Sequence, residues 1–266
     1  MTSLKRILCT ATTLDEEYLK HTLVLYLSFR TYHPETIFHL HLIKTVKESS
    51  SPPSSRPIII AMDSYQVQNL SSNSVISQDT LAMFQKLANN DPHLTVSYSI
   101  LPTLDRQIIR GYATNIKAAL IPWLLETTPA NIILWCGATS IIRASLDSLF
   151  NQIKKHRQVA YWSHQGRRQD AKGWKGGILG FRRSKINQMF LQKWQEDTFR
   201  DTILGCRWFQ DQHNINHNSL FTPFNISYSY IDWDHQADSV IWVGKGKTRH
   251  NSRFRALQQR YLNTTR

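Results

Sequence analysis

The chain has 266 residues, 41% hydrophobic and 11% aromatic, which is enough to bury a core in one large domain or two small ones. Lys and Arg number 32 against 19 Asp and Glu, giving a formal net charge of +13. No apolar run approaches the roughly 18 residues of a membrane span, and the start of the chain turns acidic before a signal-peptide core develops, so we expect a cytoplasmic protein.

The predicted elements alternate between strands and helices. We expect strands at 6–12, 36–43, 58–62, 94–100, 132–135, 177–181, 226–231 and 239–243. We expect helices at 14–31, 79–87 and 184–200, and one spanning Tyr112 to Leu124 that Pro122 should kink. The segment KESSSPPSSRP is typical of a surface loop, and 64–77 is too polar to assign. The alternation predicts an α/β fold.

The run at 132–135 is apolar at every position, as in a strand covered on both faces at the centre of a parallel sheet. It ends at the corner formed by Gly137, Ala138 and Thr139. Ligands of open α/β sheets bind at the carboxyl ends of the strands. The corner is therefore a candidate ligand site, although a buried strand that ends in a glycine turn explains the same pattern.

The cysteines Cys9, Cys136 and Cys206 are too widely spaced for a metal knuckle, and their odd number argues against a disulfide framework. Cys9 and Cys136 lie in apolar strand-like runs, which predicts buried structural thiols. The sequence contains neither a Walker motif nor an HExxH motif.

Basic residues are concentrated in two segments. Lys154 to Lys185 holds ten Lys and Arg against the single acid Asp170, and the chain from Lys245 onward holds seven and no acid. Such charge attracts polyanions. In the second segment, apolar residues alternate with arginines, which indicates peripheral contact with an anionic membrane face. The alternative is a nucleic-acid-binding module that uses 154–185.

Six short motifs occur in one order along the chain. They are TLDEEYLKHTLVLYLSF, NIKAALIPWLL, the central strand with LDSLF after it, KGGILGF, DQHNIN and IWVGKGK. This series resembles GT-A fold glycosyltransferases, most of all the retaining group that includes glycogenin and bacterial lipooligosaccharide galactosyltransferases. The resemblance implies a Rossmann-like fold with a central, mostly parallel sheet flanked by helices. It covers a domain at 1–247, with 248–266 as a basic C-terminal tail.

The resemblance also implies the site residues. Donor binding would use Thr13, Asp15, Tyr18, Lys117, Gly137, Ala138, Thr139, Gly177, Gly244 and Lys247. Asp211 and Gln212 would lie by the reacting carbon of the donor sugar, and a retaining double displacement would use Asp211 as its nucleophile. Separately, Asp232, Trp233 and Asp234 combine a stacking ring with carboxylates, which suits an acceptor sugar.

The sequence departs from the family where a divalent metal such as Mn²⁺ would bind. Gly137, Ala138 and Thr139 replace the family's Asp-x-Asp, and Ile241 or, in a shifted register, Val243 replaces its histidine ligand. We therefore expect no metal cofactor. Lys117 and Lys247, with Lys245 or Lys175, would neutralise the diphosphate instead.

The resulting prediction is a metal-independent glycosyltransferase that moves a sugar from a nucleotide-sugar donor, UDP-linked by resemblance, to a glycan or lipid-linked acceptor at the inner membrane face. Two alternatives stay open. Loss of the metal ligands also suits an inactive binding or scaffold protein of the same fold. The nucleic-acid-binding module is the other, although the motif order argues against it.

Overall fold

The computed structural model describes residues 5–46, 57–62, 86–163, 173–200, 210–217, 221–223, 228–229, 239–244 and 249–264. Its strands are Arg6–Thr13 (β1), Ile37–Thr45 (β2), Ile60–Met62 (β3), Leu94–Leu101 (β4), Ile132–Cys136 (β5), Ser140–Ile142 (β6), Gln158–Ser163 (β7), Gly173–Arg182 (β8), Thr222–Pro223 (β9), Tyr228–Ser229 (β10) and Ile241–Val243 (β11). Its helices are Glu16–Tyr32 (α1), Arg106–Asn115 (α2), Lys117–Thr127 (α3), Asp147–His156 (α4), Lys185–Thr198 (α5), Gln210–His217 (α6) and Ser252–Asn263 (α7).

The main sheet has the strand order β3-β4-β2-β1-β5-β8-β7-β9. Strands β4, β2, β1 and β5 are parallel, whereas β8 runs antiparallel to both β5 and β7. Because β5 lies between β1 and β8, all five of its residues are buried. The predicted fold class, a mostly parallel sheet flanked by helices, is confirmed.

The two faces of the sheet carry different helices. Ile133 and Trp135 of β5 pack on the face that is covered by α2, α3, α5 and α6. Leu134 and Cys136 point to the other face, which α1 and α4 cover. Cys9 and Cys136 are buried free cysteines, as predicted, and burial raises the pKa of both thiols.

A smaller sheet, in the order β10-β11-β6, lies beside the end of β5. Strand β6 starts directly after the corner at 137–139, and β11 pairs antiparallel with it, so that Val243 faces Ser140. The end of β11 is thereby brought next to the corner.

The segment predicted as a basic tail contains helix α7, which packs against α1 and β11. Phe254 is fully buried, its ring meets the edge of Trp242 at 5.2 Å between centroids, and Leu257, Tyr261 and Leu262 pack against the same cluster. These apolar side chains face the protein. In the part of the chain that the structure describes, no helix is both long and apolar enough to cross a bilayer.

The prediction of one continuous helix from Tyr112 to Leu124 is wrong. The break between α2 and α3 falls at Ile116, and Pro122 lies inside α3. At the break, the carbonyl of Thr114 accepts a hydrogen bond from the ammonium of Lys117. The loop at 47–56, most of the helix predicted at 79–87 and most of the strand predicted at 226–231 lie outside the described residues.

Candidate functional site

Three strands of the main sheet meet at one edge. Strand β1 ends at Thr13, and β5 ends at the corner Gly137, Ala138 and Thr139, whose residues are all partly exposed. Because β8 is antiparallel to β5, its first half lies at the same edge. The amide of Gly137 donates to the carbonyl of Gly177 at 2.9 Å, which ties the corner to β8.

Strand β8 is irregular at this edge. Its register with β7 passes from Ala160 opposite Leu179 directly to Tyr161 opposite Lys175, so residues 176–178 have no partner on β7. A Cβ on Gly176 would lie 2.8 Å from Asp211 Oδ2 and 3.0 Å from Lys117 Cε. Glycine is therefore the residue that allows the strand to approach these two side chains.

Lys117 and Asp211 form a buried ion pair beside the corner. The ammonium Nζ lies 2.7 Å from Asp211 Oδ2, and the side chains are 4% and 1% exposed. The same Nζ lies 5.6 Å from the ring centroid of Trp135 on β5. Asp211 Oδ1 has no hydrogen-bond partner among the residues that the structure describes.

Side chains of three helices hold Asp211 in place. Its backbone amide donates to Asn115 Oδ1, at the end of α2, at 2.9 Å, and its carbonyl accepts from the indole Nε1 of Trp194, on α5, at 3.0 Å. Ile215, one turn along α6, is fully buried in the core on this face. The carboxylate is thus fixed between α2, α5 and β8, and the half-buried Gln212 follows it.

The start of α1 contributes the second part of the site. Asp15 is the N-cap of α1, and its Oδ1 accepts from the amides of Glu17 and Tyr18 at 3.0 and 3.3 Å. Tyr18 is 39% exposed, and its hydroxyl accepts from Nη1 of Arg249 at 3.2 Å. This arrangement places Thr13, Asp15 and Tyr18 at the edge where the corner lies.

The closing motif meets the corner through Gly244. Its amide donates to the carbonyl of Thr139 at 2.8 Å. A Cβ at this position would lie 2.5 Å from Phe254 Cζ and 3.0 Å from the Thr139 carbonyl oxygen, so only glycine fits between the corner and α7. Lys245 and Lys247 follow it outside the described residues.

Solved glycosyltransferase structures share this architecture. LgtC, a galactosyltransferase solved with donor and acceptor sugar analogs, superposes with a TM-score of 0.51 at 13% identity, covering 98% of this chain and 95% of LgtC. A glycosyltransferase involved in glycosylation of the major capsid of PBCV-1 gives a TM-score of 0.51 at 8% identity, with 97% and 98% covered. The chain has the GT-A fold. It resembles LgtC, as the motif order predicted.

A third GT-A neighbour is longer than this chain. GlyE of Streptococcus pneumoniae TIGR4 gives a TM-score of 0.56 at 13% identity, and the match covers 97% of this chain but 60% of GlyE. No protein-family model and no curated protein matches the sequence. At these sequence identities, the structural likeness establishes the fold only. Any activity has to be argued from the residues of the site.

The GT-A corner of this chain does not suit a divalent metal. Mn²⁺ and Mg²⁺ prefer carboxylate, carbonyl and water oxygens, with imidazole as a further ligand for transition metals. The corner offers one hydroxyl, that of Thr139, and in neighbouring β11 the side chains of Ile241 and Val243 are buried and apolar. Within the described ranges, no group of three His, Cys, Asp or Glu is placed to hold a metal ion.

The structure brings together most of the residues that the sequence predicted. Five of them lie outside the described residues: Asp232, Trp233, Asp234, Lys245 and Lys247. Sequence reasoning missed Asn115, Gly176, Trp194 and Arg249. The sequence around Asn115 is mixed in polarity and gave no signal for it, whereas the paired glycines of KGG were the signal for Gly176. The sequence holds no signal that joins Arg249 to Tyr18.

Proposed function

We propose that this GT-A protein transfers a sugar from a UDP-sugar to a hydroxyl group of a glycan or glycolipid acceptor, without a divalent metal. One observation carries the proposal: a buried ion pair, Lys117 with Asp211, is packed against Gly176 at the ligand-binding edge of the sheet. Removing two charges from water costs several kcal/mol per ion, and the pair's attraction often fails to recover it. The desolvation free energy of this pair is therefore better explained by a role in ligand binding or catalysis than by a contribution to stability.

In this proposal the nucleotide lies along the start of α1. The exposed ring of Tyr18 offers a face for the base, and Asp15, although it caps α1, lies where a ribose hydroxyl would approach. The diphosphate crosses the corner at 137–139, where the absence of bulky side chains leaves room for it. LgtC, with a similar fold, was solved with donor and acceptor sugar analogs.

Asp211 is the carboxylate that we propose for the reacting carbon, because its Oδ1 is a buried oxygen with no hydrogen-bond partner in the described structure. In the first step, an Asp211–C1 bond forms while the bond from C1 to the β-phosphate oxygen breaks, and the electron pair leaves with the diphosphate. In the second, the acceptor oxygen attacks C1, Asp211 is released, and the hydroxyl proton passes to the diphosphate or to solvent. The configuration at C1 is retained.

Lys117 has a different role from the one expected of it. Its ammonium is paired with Asp211 at 2.7 Å and donates to the Thr114 carbonyl, so it orients and neutralises the carboxylate and is not a free cation for the diphosphate. The diphosphate therefore needs another cation; Lys245 and Lys247 are candidates from the sequence, whereas Lys175 on β8 is buried.

The acceptor side is proposed to include Asp232, Trp233 and Asp234. A lipid-linked acceptor would bring the protein to a membrane face. Because Phe254 and the other apolar residues of α7 pack inward, such contact would be electrostatic, through exposed basic residues such as Arg260.

The test is thermal stability with UDP and a panel of UDP-sugars, each in EDTA and in Mn²⁺, compared with mixed oligonucleotides at several salt concentrations. We expect UDP to raise Tm equally in EDTA and in Mn²⁺, since ligand binding to the folded state stabilises it. Oligonucleotide binding should be weak and should vanish with salt. Product release from a UDP-sugar then reports transfer.

Other results of these experiments would each contradict one element of the proposal. A UDP effect that EDTA abolishes would contradict metal independence. UDP binding with no product from any donor and acceptor would favour the scaffold alternative, and an oligonucleotide effect without a UDP effect would favour the nucleic-acid-binding module. Inversion of the anomeric centre, read by NMR of the product, would remove Asp211 as nucleophile.

A further inference from the structure

The proposed reaction develops negative charge on the diphosphate at the corner 137–139. When the bond between C1 and the phosphate oxygen breaks, the departing nucleoside diphosphate gains a negative charge, and catalysis requires that this charge be stabilised. The corner residues Gly137, Ala138 and Thr139 carry no charge, and Lys117 is already paired with Asp211. The compensating cation must therefore come from another part of the site.

Arg249 lies at this edge of the molecule. Gly244 joins the corner to α7, since its amide bonds the Thr139 carbonyl while the Phe254 ring packs against its Cα. Arg249 lies just before the N-cap of α7, and its Nη1 donates to the Tyr18 hydroxyl at 3.2 Å. Tyr18 in turn lies in the first turn of α1, directly after the end of β1.

The guanidinium of Arg249 contacts two side chains: Nη1 donates to the Tyr18 hydroxyl at 3.2 Å and Nε donates to His250 Nε2 at 3.4 Å. The backbone carbonyl of the same residue accepts from Arg255 Nε at 3.4 Å. No carboxylate forms an ion pair with Arg249 among the described residues. The residues from 249 to 264 contain four arginines and no acid. Two other cations near the corner are engaged: Arg143 bonds Ser239 at 2.9 Å and stacks over Trp242, and Lys175 is buried.

We infer that Arg249 binds the diphosphate of the donor and stabilises it as it leaves, with Tyr18 holding the guanidinium in position. This inference rests on the proposed transfer and names the cation that the transfer requires. A guanidinium offers two parallel N–H groups to a phosphate, whereas an ammonium acts as a point charge. The segment expected to serve as a tail thus becomes part of the donor site.

The test is calorimetric titration of the full-length protein with UDP, UMP and uridine in EDTA, for wild type, Arg249→Gln, Arg249→Lys and Arg253→Gln. Arg253 is exposed on the first turn of α7 and serves as the matched control. We expect Arg249→Gln to lose tenfold or more in UDP affinity and little in uridine affinity. Arg249→Lys should lose less, and Arg253→Gln should bind UDP as wild type does. With a UDP-sugar donor, Arg249→Gln should lower kcat as well as raise KM.

The outcomes separate the inference from the proposed function. If wild type binds UDP in EDTA and Arg249→Gln binds it equally well, the inference is overturned and the transferase remains. An equal loss of UDP affinity in Arg249→Gln and Arg253→Gln would show that only the overall positive charge of the segment matters. That result would also overturn the inference. If wild type binds none of the three ligands and transfers no sugar, the proposed function fails, and the inference fails with it.

Discussion

Gly176 and Asp211 approach so closely that a single methyl group on the glycine would displace the carboxylate: an added Cβ would lie 2.8 Å from Asp211 Oδ2. We predict that Gly176→Ala destabilises the protein by about 1–3 kcal/mol through overpacking and lowers the transfer rate at least tenfold. Urea denaturation measures the first effect and product release the second. Gly137→Ala is the control for the destabilisation only, because its nearest neighbour, the Gly177 carbonyl oxygen, is at 3.7 Å, an ordinary contact. Equal destabilisation by both variants would contradict this account.

The buried ion pair predicts a large energetic coupling. Asp211→Asn would leave the Lys117 ammonium buried without a counter-charge, and we expect a loss of about 3–5 kcal/mol in the free energy of unfolding. Lys117→Met should cost a similar amount for the converse reason. The double variant should be more stable than the sum of the two losses implies, because neither charge is then left unpaired.

A surface ion pair provides the control for this cycle. Lys20 lies 2.7 Å from Glu16, but its side chain is 50% exposed. Lys20→Gln should therefore change stability by less than about 1 kcal/mol. Strict additivity of the Lys117 and Asp211 variants in urea denaturation would show that the two groups do not interact.

The sequence predicted the sheet well because its strands are apolar runs, and a fully apolar run such as 132–135 has few alternatives to a central strand. It missed the helix break at Ile116, because this break accompanies a bond from the Lys117 side chain to the Thr114 carbonyl and is marked by no proline or glycine. The ammonium is held there by Asp211, which is distant in sequence. A tertiary contact of this kind has no local pattern.

The role of α7 was hidden for a different reason. Apolar residues spaced among arginines are typical both of a helix that lies on a membrane and of one that packs on its own domain. In the structure these apolar residues pack on the domain, and Phe254 is fully buried against Trp242 and Gly244. Similarly, KGGILGF contains two adjacent glycines, and only the irregular register of β8 shows that Gly176 faces Asp211.

Two buried histidines on β2 predict a pH dependence. Both ring nitrogens of His39 and of His41 form hydrogen bonds with hydroxyl groups of β4. The two rings share the Ser97 hydroxyl, each at 2.8 Å. The Ser99 hydroxyl also accepts a hydrogen bond from the Tyr112 hydroxyl of α2 at 2.9 Å. Burial lowers the pKa of both histidines from 6.5 to about 3. Both are therefore neutral in the folded protein at pH 5 to 7.

The sign of the effect follows from proton binding. The unfolded chain takes up protons at these histidines as pH falls below 6.5, whereas the folded state cannot until about pH 3. Stability is therefore complete above pH 6.5 and is lost progressively as pH falls towards 3. At pH 5 the expected loss is on the order of 2 kcal/mol per histidine. Urea midpoints at pH 7.5 and 5 measure it.

A double variant, His39→Gln with His41→Gln, separates these residues from other titrating groups. It should be less stable at pH 7.5 but should lose much less stability between pH 7.5 and 5. His21 and His33, whose pKa values burial also lowers, would account for the remaining slope. An unchanged slope in the double variant would assign the acid sensitivity to groups other than the β2 histidines.

Helix α7 is predicted to be necessary for stability as well as for the site. Phe254 is completely buried between Trp242, Gly244 and α1, so Phe254→Ala should cost about 3–5 kcal/mol, and removal of 249–266 should cost at least as much. Arg253→Ala, exposed on the same helix, should change stability by less than about 0.5 kcal/mol. Urea denaturation of the three proteins measures the difference. A truncated chain as stable as wild type would mean that α7 is a dispensable tail, and donor binding through Arg249 would then have no rigid support.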